Sequence, residues 1–84
     1  MIHSYREIRD RANRVRQIPL QDVLREVGAE QDRYDKARWH TARGVLSVTG
    51  MKFMNWEQGI GGGGAIDLVI HLFDLRFLDA VKWL

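Results

Sequence analysis

Between residues 33 and 56 the basic side chains Arg33, Lys36, Arg38, Arg43 and Lys52 interleave with the rings of Trp39, His40, Phe53 and Trp56. That mixture suits the binding of single-stranded nucleic acid. Cations neutralise phosphates and release their counterions, and bases stack on ring faces for roughly 1–3 kcal/mol each. A second constellation is Gly59-Ile60-Gly61-Gly62-Gly63-Gly64, which runs straight into Ala65-Ile66-Asp67-Leu68-Val69-Ile70 and holds five of the chain's eight glycines. Each glycine costs folding entropy unless the backbone needs positive φ or a close approach. A glycine loop opening a helix also presents N–H groups and a positive dipole end to an anion. The run is not a P-loop, since Ala65-Ile66 stands where Lys-Ser/Thr belongs and no βαβ unit surrounds it. Its readings are a tight strand-to-helix turn, a contact with nucleic-acid phosphate, or a small nucleotide site.

Catalytic groups do not assemble in the sequence. Ser4 caps a helix, Ser47 and Thr49 have no acid or histidine near them, and no carboxylates are paired. Three scattered histidines, His3, His40 and His71, with no cysteine make a transition-metal site, a disulfide framework and a cofactor unexpected. The chain reads as a binding module and not an enzyme. Eighty-four residues with 45% hydrophobic side chains and one proline are enough for one small folded domain that stands on packing alone. No apolar run approaches the ~20 residues of a membrane span, nor is there a signal-like start, so the expected place is the cytoplasm. Net charge is +2, unevenly spread. Residues 1 to 16 carry +3, residues 17 to 32 carry −3, residues 33 to 52 carry +4 and residues 53 to 84 carry −2. The basic excess therefore sits in two blocks.

These groups need elements to position them. Ser4-Tyr5-Arg6-Glu7 has capping-box spacing, and Tyr5, Ile8, Ala12 and Val15 make a narrow apolar stripe on an otherwise arginine-rich helix to about Gln17. Ile18-Pro19 ends it. Leu20, Val23, Leu24 and Val27 at i, i+3, i+4 and i+7 predict a second helix stopped at Gly28. Residues 30 to 38 read as a polar loop before an extended piece at Arg38 to Thr41. Gly44 and Gly50 bracket a strand over Val45 to Thr49, and Met51 to Trp56 reads as its hairpin partner. A helix follows from Ala65 to Phe73 with Ile66, Val69, Ile70 and Phe73 inward. A last helix is patterned by Phe77, Leu78, Val81 and Leu84. The fold class is α+β: two N-terminal helices, a small antiparallel sheet and two C-terminal helices.

In this order, Trp39-His40, Val45 to Trp56, Gly62 to Val69 and Phe77-Leu78-Asp79-Ala80-Val81-Lys82-Trp83-Leu84 resemble the N-terminal zinc-ribbon domain of bacterial replicative primases. The resemblance covers residues 18 to 84 and leaves residues 1 to 17 as an added arginine-rich helix. It departs at the metal. The ligand positions of the family fall on Ala37, His40, Trp56 and Gly59, and one imidazole cannot hold structural zinc. The zinc-less pattern looks like the N-terminal region of toprim-containing, primase-like proteins of plasmids and integrative elements. It implies a fold that Trp39 and Trp56 plug in place of the ion, and a toprim or helicase domain or protein as partner.

On the strand from Met51, Lys52, Met54 and Trp56 share one face and Met51, Phe53 and Asn55 the other. If Trp56 fills the lost metal site, Phe53 is the stacking ring, and the reverse holds if the register slips by one. The expected interface is thus Arg33, Lys36, Arg38, Arg43, Lys52 and Phe53, with the turn Gly61 to Gly64 beside it and the first helix as a secondary surface. A protein–protein module docking through exposed aromatics is the alternative.

Overall fold

The structure, a computed structural model, describes residues 5–84. The expected capping residue Ser4 lies outside them. Helices α1 (Tyr5–Val15) and α2 (Leu20–Glu26) come first, and five strands follow: β1 (Glu30–Gln31), β2 (Arg38–Thr41), β3 (Gly44–Thr49), β4 (Lys52–Asn55) and β5 (Ile60–Gly63). The chain closes with α3 (Gly64–Phe73) and α4 (Phe77–Trp83). The strands form one antiparallel sheet in sequence order, β1-β2-β3-β4-β5, as short hairpin connections require. The fold is α+β.

The hairpins follow from their glycines. Thr49 pairs with Lys52 across the two-residue turn Gly50-Met51, and Gly50 at φ 60° supplies the positive φ that such turns need at their first position. Thr41 pairs with Gly44, whose φ is 111°, and the Thr41 hydroxyl ties the turn by donating to the Gly44 carbonyl.

The core lies between one face of the sheet and α3. Trp39, Leu46, Val48 and Phe53 are buried on that face. Against them pack Leu20, Val23 and Leu24 of α2 and Ala65, Ile66, Leu68, Val69 and Leu72 of α3. Arg25 lies over the Trp39 ring at 5.8 Å, sealing it with a cation–π contact. From α1 only Ala12 is buried, with Ile8 and Val15 half-buried. Tyr5, expected on that stripe, is exposed.

Three expectations are corrected here. Residues 30 to 38 are not wholly loop: Glu30 and Gln31 pair with His40 and Trp39. A two-residue polar strand carries no alternation to read. Phe73 points outward against Trp83, ring centroids 5.4 Å apart, and Phe77 and Leu78 are about half exposed, while Ala80 and Val81 hold α4 to the core. The glycine run is mostly strand, since Ile60 to Gly63 pair with Asn55 to Lys52.

Sterics explain the glycines. A Cβ at Gly62 would stand 2.9 Å from the Phe53 ring and 3.0 Å from Asp67 Cβ, so bare backbone lets the ring and α3 close on β5. At Gly63 the nearest atom would be 3.7 Å away, an ordinary contact. Gly62→Ala should therefore destabilise the domain by about 1–3 kcal/mol through overpacking while Gly63→Ala stays near neutral. Urea midpoints of the two variants check this; equal midpoints would refute it.

Candidate nucleic-acid interface

Side chains opposite one another in an antiparallel pair share a face. With Trp39↔Leu46 and Val48↔Phe53 turned inward, the outer face carries the row Arg38, Ser47, Met54, Gly61 and the row Thr49, Lys52, Gly63. On this face Arg38, His40 and Lys52 are exposed, and Ser47 and Met54 are half-buried. β2 begins, β3 ends, β4 begins and β5 ends at one end of the sheet. Arg38 and Lys52 both lie at that end.

The 32–37 loop leaves from the same end and is held by its own acids. Asp32 Oδ2 accepts the N–H groups of Tyr34 and Asp35, both at 2.9 Å, and Asp35 Oδ1 accepts the N–H of Ala37 at 3.0 Å. Such Asx turns need no hydrophobic anchor. They leave Arg33, Tyr34 and Lys36 exposed, Tyr34 at 92%. His40 Nε2 donates to Asp32 Oδ1 at 2.9 Å, and this bond, followed by the two backbone donors, holds the Asp32 carboxyl below its usual range. Asp35 sits 3.5 Å from Arg38 Nε. Both of those side chains remain more than half exposed, so the pair leaves the guanidinium available to solvent and ligand.

The two basic blocks of the sequence meet here. Arg16, from the end of the arginine-rich helix, and Lys52, from the start of β4, line one cleft of about 440 Å³ with Met51, Gly63 and Gly64. Gly64 has φ 86°, and a Cβ there would lie 3.2 Å from Arg16 Cγ. The glycine is what lets the α1–α2 link lie against the β5–α3 junction.

Arg43 and Phe53 are corrections to the expected site. Arg43 sits at the opposite end, where its Nε donates to the Leu72 carbonyl at 3.2 Å, satisfying an open carbonyl at the end of α3. Phe53 is 5% exposed, under Gly62 and 5.7 Å from the His71 ring, and has no face left for a base. Trp56 is 72% exposed and plugs nothing; Trp39 alone is a core indole. Nor do the four degenerate ligand positions converge. The Ala37 carbonyl bonds Val48 N–H at the basic end, whereas Trp56 and Gly59 lie in the loop at the other.

What ties that far loop down is an amide. Asn55, fully buried, donates through Nδ2 to the Arg43 carbonyl at 3.0 Å and to His71 Nε2 at 3.1 Å, and its Oδ1 accepts the N–H of Gln58 at 3.1 Å. Gln58 Nε2 also donates to the Arg43 carbonyl. One side chain thus joins the β2–β3 turn, the β4–β5 loop and α3. The spacing Asn55-x-x-Gln58 after a strand was the only trace of it in sequence. Receiving a proton donor at Nε2 fixes the His71 proton on Nδ1, and burial, then the Arg43 charge, lowers the His71 pKa. A folded-state pKa below the unfolded one means stability present above about pH 6.5 and lost as pH falls toward the folded value. Thermal melts should therefore drop between pH 7 and pH 5. In His71→Gln, whose side-chain oxygen accepts the same bond without titrating, that drop should shrink; an unchanged drop would refute the assignment.

The comparisons with known proteins add one relative. The 65 kDa protein of Zymomonas mobilis subsp. mobilis is 38% identical over 78 residues, 90% of this chain. The chain spans 13% of the length of that protein. No protein-family model and no solved structure matches the chain. Among the described residues no helix is long and apolar enough to cross a membrane, and no three metal-ligating side chains are grouped.

Proposed function

We propose that this chain is an accessory nucleic-acid-binding module that holds single-stranded DNA across the basic end of its open sheet face. One observation carries the reading: Arg16 and Lys52, from the two basic blocks of the sequence, line a single cleft beside side-chain-free Gly63 and Gly64. The wall of that cleft is almost wholly apolar, the stems of Arg16 and Lys52 among it, so a phosphate would meet their exposed cationic ends at its margin. Arg38 continues the positive surface, Arg33 and Lys36 extend it along the loop, and Tyr34 between them offers a ring for stacking. Trp56, at the far end, takes the stacking role that the sequence assigned to Phe53.

The reading agrees with the resemblance to zinc-less primase-like modules, and the service we propose is to a primase-like or mobile-element DNA-processing protein in which a toprim or helicase domain performs the chemistry. The test is a titration of labelled oligo-dT by fluorescence anisotropy at several salt concentrations. For single strands log K falls with log salt by about 0.7 per phosphate neutralised. A steep, sequence-tolerant decline is expected, and a flat response would overturn the reading.

A further inference from the structure

Helices α1 and α4 touch along a groove of about 420 Å³ that lies apart from the sheet face. Ile8 of α1 and Leu78 and Val81 of α4 form its apolar floor, and Arg11, Arg14 and Lys82 stand on its rim, with Glu7 the one acid. Leu78 is 47% exposed and Ile8 half-buried, so apolar surface is left uncovered. Among the described residues no ion pair engages Arg11, Arg14 or Lys82. Their exposed cationic side chains border the apolar floor.

We infer that this groove docks an acidic amphipathic helix of a partner protein. An apolar floor between two helices accepts anchors at i, i+3, i+4 and i+7. The rim, three cations against one acid, complements carboxylates flanking that stripe and repels a basic helix. The charge also argues against a second copy: an isologous dimer through this face would set Arg11, Arg14 and Lys82 against their own kind. α1 is 11 residues long, about 16 Å, enough to carry three turns of a partner.

The experiment is calorimetric titration of the 84-residue chain with a synthetic leucine-glutamate amphipathic helix of about 14 residues, and with the same peptide carrying lysine for glutamate. The acidic peptide should bind about tenfold tighter or more. Arg11→Glu with Lys82→Glu should reverse that preference, and Leu78→Asp should weaken both peptides. All three positions are exposed, so the variants should keep the fold, which circular dichroism checks. Equal affinity for the two peptides, no binding of either, or binding that Leu78→Asp leaves unchanged would overturn the inference. So would a stable dimer of the free chain by sedimentation. Loss of oligo-dT binding in Lys52→Glu with peptide binding intact would support it, keeping the two surfaces separate.

Discussion

Arg16→Glu combined with Lys52→Glu should weaken oligo-dT binding by about a hundredfold near 0.1 M salt, and the salt slope should become shallower by about 1.4, the contribution of two phosphates on a single strand. The expectation rests on geometry, because the two side chains come from sequence blocks 36 residues apart yet line the same cleft. A change in net charge alone would act anywhere on the surface. The control is therefore Arg76→Glu, which alters the charge at the start of α4. It should leave the slope unchanged. Equal losses from Arg76→Glu and Lys52→Glu would mean that attraction is diffuse and that the cleft has no special role. Trp56→Ala and Tyr34→Ala separate stacking from charge. Each should cost roughly 1–3 kcal/mol of binding without moving the salt slope if its ring meets a base.

The second large effect is on stability. Asn55→Ala removes two donors and one acceptor from a fully buried position and leaves the Gln58 N–H and His71 Nε2 without their partner. Each hydrogen bond lost costs about 0.5–1.5 kcal/mol and three go together, so a loss of about 3 kcal/mol is expected. In a domain of this size that lowers the melting temperature by about 12–24 °C. Trp56→Ala, by contrast, truncates a side chain 72% exposed and should change stability by no more than about 0.5 kcal/mol. The pair of melts decides what secures the far loop. A large loss in Trp56→Ala with a small one in Asn55→Ala would restore the indole plug and discard the amide clasp.

Local signals carried most of the secondary structure. The i, i+3, i+4, i+7 stripe of Leu20 to Val27, the hairpin break at Gly50 and the strand parity of Lys52 to Asn55 all appear in the structure, because each depends on neighbours a few residues away. Where a segment's partner is distant, sequence was silent or misleading. β1 exists only because β2 accepts it, and the glycine run is a strand only because β4 lies alongside. Parity placed Phe53 and Trp56 on opposite sides, but it could not say which side faced α3. That choice sent Phe53 into the core and Trp56 into solvent, the reverse of the expected roles.

By itself, then, the sequence determined an α+β chain with two cationic blocks and a permissive glycine segment. Period, punctuation and charge are properties of residue order. The tertiary structure decided which cations share a surface: Arg16 joins Lys52, while Arg43 is drawn away to the end of α3. It also decided that a buried amide and one indole do the holding. Those outcomes depend on how the sheet and its helices meet, on contacts dozens of residues apart that no local pattern encodes.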